Sequence, residues 1–273
     1  MQPVCAQMRI LIFITHATLE YEHAEMTFRS LRNSTDPVEF DELLIYNAHP
    51  EELSNNDLLE LSEAPELGYI KSRTIFPYDP NTPKCLGADL AALQQYCAAK
   101  YLPTDHILLL KSDCLLSTNF LNELTKFPLE DPQEFIFVAP LLNAKKSVTN
   151  EEITEHIKLP YAILSSEDTF YMEDETRTVD NDFRNRPGVK PDDPVIKYIS
   201  CECKRDWSCH YLPVSVFQRV ALKQQDWGGS SFEHLSHLWI GSYKAFVIHK
   251  YHSIVSENRQ TERPGEWGNW LSA

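Results

Sequence analysis

The sequence predicts an α/β protein built on a mostly parallel central sheet flanked by helices. Three observations carry that prediction. Ile107-Leu108-Leu109-Leu110 is an unbroken aliphatic run following a turn at Pro103-Thr104-Asp105, as a strand buried on both faces requires. A second such run, Arg9 to Thr15 (RILIFIT), lies near the start of the chain. Between and beyond them strand-like and helix-like stretches alternate, which is the pattern of strands joined by crossover helices.

Taken in order, Arg9 to Thr15 is a strand by its isoleucines and phenylalanine. Leu19 to Leu31 follows as a helix, with Tyr21, Met26, Phe28 and Leu31 available for an inner face. Asp36-Pro37 breaks the chain before a second strand, Phe40 to Tyr46. Pro50, Glu51-Glu52 and Asn55-Asn56-Asp57 predict a loop and a short helix, and Pro77, Pro80 and Pro83 exclude a regular helix there. Gly87 to Tyr101 is an Ala- and Leu-rich helix that leads through the Pro103 turn into the central strand. Asn119 to Lys126 reads as a short helix and Glu134 to Ala139 as another strand. Residues 145 to 195 change character, with an acidic stretch from Ser165 to Asp182 and then Pro187, Gly188, Pro191 and Pro194. They read as an insertion or loop, either a solvated excursion or a binding lid. Tyr211 to Val220 is a strand-to-helix passage, Ser231 to Ile240 a helix, and Tyr243 to Ile248 a last strand.

The chain carries 25 Lys and Arg against 40 Asp and Glu, a formal net charge of -15. That balance excludes a nucleic-acid backbone or an anionic membrane as the main partner. A nucleotide-linked ligand stays open, because a metal ion or a few local cations can override the global field. Seven cysteines at irregular spacing are no disulfide framework. No charged leader followed by a long apolar core is visible and no segment is long enough to span a membrane, so the expected location is cytoplasmic. Cys201-Glu202-Cys203 with Cys209-His210 lacks the paired knuckles of a structural zinc site and reads better as reduced, partly buried thiols.

The central strand runs straight into Lys111-Ser112-Asp113-Cys114. A carboxylate where a buried strand leaves the sheet stands where open α/β sheets place their ligand chemistry. A turn or helix-cap role for Asp113 is the competing reading.

Four stretches in this order resemble a known family. They are RILIFIT with its following helix and ELLIY; Gly87 to Ala92 leading to ILLLKSDC; Phe137 to Asn143; and Asp226-Trp227-Gly228-Gly229-Ser230-Ser231-Phe232-Glu233-His234 with Gly241 to Lys244, His249 and His252. The set resembles nucleotide-sugar glycosyltransferases of the GT-A fold, in particular the broad inverting family that contains chitin- and cellulose-type synthases. Two departures stand out. Lys111 occupies the first acidic position of that family's DxD element, leaving Asp113 as its acid, and Glu233-His234 replaces a Glu-Asp pair.

The resemblance implies a single catalytic domain over residues 1–273. Residues 9–143 would be its nucleotide-sugar-binding half, 144–198 an insertion, and 199–273 the acceptor side. It implies a nucleotide-diphosphate sugar as donor and a glycan or other hydroxyl acceptor, with Mn²⁺ or Mg²⁺ on the diphosphate. Asp113 and His252 would hold the cation, His252 being favoured over His249 by its spacing from Glu233, unless His252 only packs against its loop. Thr15, His16 and Asn47 would line the nucleobase and ribose pocket, and Lys84, Asp89, Lys111 and Ser112 would lie near the ribose and diphosphate. Lys111 either offers a cation to the phosphates or points to solvent. Lys250, Arg259 and Arg263 are further cations for the phosphates. Glu233 would be the general base, or else an ordinary first-turn glutamate, with His234 an alternative base. Trp227 and Trp239 offer a sugar-stacking platform or core packing. Two other functions compete: a glycosyltransferase-like binding module without turnover, and a sugar nucleotidyltransferase. The latter wants a Gly-rich loop after the first strand, where this chain reads Thr15-His16-Ala17-Thr18.

Overall fold

The computed structural model describes residues 7–15, 21–48, 50, 53–81, 86–126, 135–139, 141–144, 148–160, 170–171, 196–199, 209–222, 230–231, 238–242 and 244–249. In chain order the elements begin with β1 (Arg9–Ile14), α1 (Tyr21–Arg32), β2 (Glu42–Tyr46), α2 (Asn55–Ser62), β3 (Arg73–Ile75) and α3 (Leu86–Lys100). There follow β4 (His106–Lys111), β5 (Cys114–Leu116), α4 (Phe120–Glu123), β6 (Phe135–Val138), β7 (Leu141–Ala144), α5 (Asn150–His156), β8 (Phe170–Tyr171) and β9 (Ile196–Ile199). The last are β10 (Cys209–Pro213), α6 (Val214–Arg219), β11 (Ala221–Leu222), β12 (Ser230–Ser231), β13 (Leu238–Gly241) and β14 (Val247–His249).

The main sheet has the order β3-β2-β1-β4-β10-β6-β13-β9. Its strands run parallel except β10 and β9, which oppose their neighbours. The predicted mostly parallel α/β sheet is therefore the architecture observed. β1 and β4 are buried along nearly their whole length because helices cover both faces. Alternate residues divide accordingly. Leu11, Phe13, Leu108 and Leu110 pack with Phe28 and Leu31 of α1, while Ile12, Ile14, Ile107 and Leu109 pack with Leu90, Leu93 and Cys97 of α3. Each fully buried aliphatic side chain contributes about 1.5–3 kcal/mol relative to exposure.

A smaller sheet, β5-β14-β7-β8, begins where β4 ends. The chain passes from the large sheet to the small one at Ser112-Asp113, between β6 and β7 and between β13 and β14. α1 fastens this seam: Thr27 Oγ1 donates to the Ser112 carbonyl at 2.6 Å, and Leu116 N donates to Ser30 Oγ at 3.1 Å. At the opposite end of the sheet Glu42 accepts from Lys100 Nζ and Tyr101 Oη, tying the end of α3 to the start of β2.

Two expectations are corrected here. Leu238–Gly241 is a strand and not part of a helix, because Leu238-Trp239-Ile240 pairs with β6 on one side and β9 on the other; a short apolar run does not distinguish helix from strand by periodicity. The beginning of the segment read as an insertion is a packed helix. α5 starts at a capping box between Thr149 and Glu152 and buries Ile153 against Leu115, Leu142, Phe246 and Ile248. The acidic stretch beyond it lies outside the described residues, apart from β8.

Candidate active site

In the main sheet β2 and β3 lie to one side of β1 and β4 to the other, so the chain order reverses between β1 and β4. Crevices at the carboxyl ends of such switch points are where open α/β sheets bind ligands. Parallel register aligns Ile14 with Tyr46 and with Lys111. The next residues, Thr15, Asn47 and Ser112, therefore emerge side by side at the crevice mouth, and Asp113 follows.

Asp113 stands at the seam between the two sheets, with its side chain fully buried. Its Oδ2 lies 3.0 Å from Nε2 of His249, whose side chain is 24% exposed. Its Oδ1 accepts from Cys114 Sγ at 3.3 Å. The pairing of β14 with β5 sets this geometry, because His249 is directly opposite Cys114. A buried carboxylate demands such partners, since leaving one unpaired costs several kcal/mol.

Thr15 and Asn47 are bonded chiefly to each other and to their loops. Thr15 Oγ1 donates to Asn47 Oδ1 at 2.9 Å and accepts from Ala48 N at 3.0 Å. Asn47 Nδ2 donates to the Leu53 carbonyl at 2.6 Å and to Asn55 Oδ1 at 2.9 Å. Asp89, in the first turn of α3, is buried and accepts from Tyr46 Oη at 2.7 Å.

This architecture matches solved glycosyltransferases. GalNAc-T7, crystallised with UDP, GalNAc and Mn²⁺, superposes with a TM-score of 0.53 at 12% identity, over 90% of this chain and 44% of that one. The chain has a GT-A glycosyltransferase fold. S. aureus TarS (TM-score 0.43, 9% identity, 90% of this chain and 35% of that one) and the apo form of the bifunctional glycosyltransferase WbbM (0.36, 13%, 80% and 34%) are weaker likenesses. The chain spans less than half the length of each of these proteins. No protein-family model and no curated protein matches the sequence.

Within the GT-A fold, Thr15, Asn47, Ser112 and Asp113 gather at one crevice, with Asp89 joined to it through Tyr46. Lys111 is buried at the end of β4, so its reading as a solvent-pointing lysine is overturned. His16, Lys84, Glu233, His234 and His252 lie outside the described residues, as do Trp227, Lys250, Arg259, Arg263, Cys201 and Cys203. Among the described residues, the histidine brought against Asp113 is His249. Its signal in the sequence was only its position at the end of the strand that follows Tyr243. Neither Cys114 nor Tyr46 was singled out, although each adjoins a residue that was. Cys209 is buried as a free thiol, and its pKa is pushed up by that burial. Among the described residues no cluster of three or more His, Cys, Asp or Glu is arranged to hold a metal, and no helix is long and apolar enough to cross a membrane.

The Asp113–His249 pair fits a divalent cation. Oδ2 and Nε2 lie at hydrogen-bonding distance, 3.0 Å, and together present one carboxylate oxygen and one imidazole nitrogen at the crevice. That donor set would suit a cation such as Mn²⁺, which would supply positive charge to a bound phosphate.

Proposed function

We propose that the protein transfers a sugar from a nucleotide-diphosphate sugar to a hydroxyl acceptor. The observation that supports this most directly is the Asp113–His249 pair at the switch-point crevice of a GT-A fold. A divalent cation held by Asp113 and His249 would supply the positive charge that a departing diphosphate needs.

The reaction balances without a redox partner. The acceptor oxygen attacks the anomeric carbon, the bond from that carbon to the diphosphate oxygen breaks, and the nucleoside diphosphate leaves. Glu233 takes the acceptor proton, with His234 as the alternative base, and the configuration inverts. On the donor side Ser112 and the buried Lys111 flank the diphosphate, with His16 and Lys84 toward the ribose. His252 remains a candidate second imidazole beside His249. The working location is cytoplasmic.

Two residues favour a second reading, a binding module without turnover: Lys111 and His234 stand where the resembling family carries acids. Release of nucleoside diphosphate separates the two. UDP-, GDP-, CDP- and ADP-sugars are incubated with the protein, with Mn²⁺, with Mg²⁺ and with chelator. Cation-dependent release from one donor supports transfer. Tight binding of a donor with no release supports the module.

A further inference from the structure

Thr27 and Ser30 lie one turn apart on the same face of α1, and both are buried. Polar groups on a buried helix face are costly unless something takes their hydrogen bonds. A hydroxyl within a helix commonly bonds back to a carbonyl of its own preceding turn. Ser30 does so, its Oγ donating to the Thr27 carbonyl at 2.7 Å. Thr27 instead reaches out of the helix, and its Oγ1 donates to the Ser112 carbonyl at 2.6 Å. Ser30 Oγ also accepts from Leu116 N at 3.1 Å. The two hydroxyls therefore grip the passage from β4 into β5, one at each end.

Asp113 lies between those two contacts. The Ser112 carbonyl belongs to the same planar peptide unit as the Asp113 amide. The Ser112 N–H in turn donates to the Ile14 carbonyl of β1 at 2.9 Å. Both peptide planes around Ser112 are thereby fixed, one by the main sheet and one by α1. Backbone groups that leave a sheet lose their ladder partners and must find others, and α1 supplies them here. Packing alone does not call for these hydroxyls. Met26 already clusters with Leu115, and Phe28 and Leu31 with Leu110 and Leu116, but apolar contacts do not set the direction of a carbonyl. The passage so held brings Asp113 Oδ2 to 3.0 Å from His249 Nε2, while Oδ1 accepts from Cys114 Sγ.

We infer that Thr27 and Ser30 are positioning residues for the cation and diphosphate site, fixing the direction in which Asp113 presents its carboxylate beside His249. The inference rests on the nucleotide-sugar reading above. Neither hydroxyl touches donor or cation in this scheme; each acts through the backbone of the passage from Ser112 to Leu116. Groups that orient a ligating side chain from behind typically set roughly 10- to 100-fold of a site's metal affinity. Valine at position 27 keeps the branched shape of threonine but takes the donor from the Ser112 carbonyl, so the Asp113 peptide is free to turn.

The test is the affinity of UDP, GDP, CDP and ADP for the full chain by calorimetry, each with Mn²⁺ and with chelator. For whichever nucleotide the wild type binds, the gain in affinity from Mn²⁺ should fall roughly tenfold or more in Thr27→Val. Thr27→Ser, which restores the hydroxyl, should recover that gain to within about threefold of wild type. Ser30→Ala should lower it in the same direction, and it carries the test alone if Thr27→Val does not fold. Glu42→Ala is the stability control: at the far end of the sheet, it should lower the melting temperature and leave the Mn²⁺ gain as in wild type. A purely structural role for the hydroxyls would make Thr27→Val and Ser30→Ala behave like that control. That result overturns the inference and leaves the donor reading standing. Failure of the wild type to bind any of the four nucleotides with Mn²⁺ removes both.

Discussion

His249 Nε2 lies 3.0 Å from Asp113 Oδ2 across 136 residues of sequence. The contact exists because β14 pairs with β5 immediately beyond the point where β4 leaves the main sheet. Two sheets thus meet at one carboxylate, and the donor site proposed for this protein is built on their seam.

Removing either member of that pair should lower turnover, and His249→Ala should lower the melting temperature as well, because it takes a partner from a buried carboxylate. Asp113→Asn and His249→Ala are each expected to lower nucleotide-sugar turnover by about a hundredfold or more, the usual scale for an electrostatic partner of a leaving group. Far-ultraviolet circular dichroism should stay near wild type. Turnover within threefold of wild type in both variants would remove the pair from the reaction.

Glu233→Gln should reduce kcat and leave donor affinity nearly unchanged, since a general base acts on the acceptor proton and not on the donor. A loss of donor affinity, or a melting temperature that drops with kcat, would instead assign Glu233 to the fold.

The far end of the sheet offers a prediction about stability alone. Burial tends to raise the Glu42 carboxyl, but hydrogen bonds from Lys100, Thr74 and Tyr101 outweigh it and hold the pKa below the usual value. Glu42→Ala would strip the acceptor from the Tyr101 hydroxyl and should cost about 2–3 kcal/mol in urea unfolding. Lys100→Met should cost under about 1 kcal/mol, because the Lys100 amine is partly exposed and its ion pair is screened. Equal losses in the two variants would contradict this assignment.

His106 gives the fold an acid limit. Burial, opposed by a backbone hydrogen bond at Thr104 and helped by the Arg9 charge, lowers its pKa from 6.5 to about 4, and its ring stacks on Tyr211. The neutral form is the native one. The unfolded chain binds the extra proton first, so this contribution is complete above about pH 6.5 and is lost as pH falls toward 4. Its size is on the order of 3 kcal/mol. His106→Phe, which keeps a ring on Tyr211, should flatten the unfolding free energy over that window. A profile with the same slope as wild type would show that other groups carry the acid sensitivity.

The parallel half of the sheet was legible because its strands are long, aliphatic and bracketed by turns, and because RILIFIT and HILLLK have no other way to bury both faces. Of the small sheet only the last strand, read as Tyr243 to Ile248, was legible. Its other strands are two to four residues long, and their partners are distant in sequence, so no local period marks them. α5 was hidden for a different reason: its capping box, Thr149 to Glu152, lies in a polar stretch read by its composition alone. At the site, Asp113 could be found from the strand that delivers it. That His249 stands against Asp113 was not legible, because it depends on which residue ends opposite Cys114, and His252, the histidine favoured by its spacing from Glu233, lies outside the described residues. Lys111 shows the limit of position as a guide: a lysine at a strand end can face a ligand or solvent, and only the surrounding elements, which bury it, remove the second.

The most direct test is a thermal-shift series with UDP, GDP, CDP and ADP, each with and without Mn²⁺, on the wild type and on Asp113→Asn. A cation-dependent rise for at least one nucleotide in the wild type, absent in Asp113→Asn, is the predicted result. An equal rise in both proteins, or no rise with any nucleotide, would contradict a cation-dependent diphosphate site at Asp113 and His249.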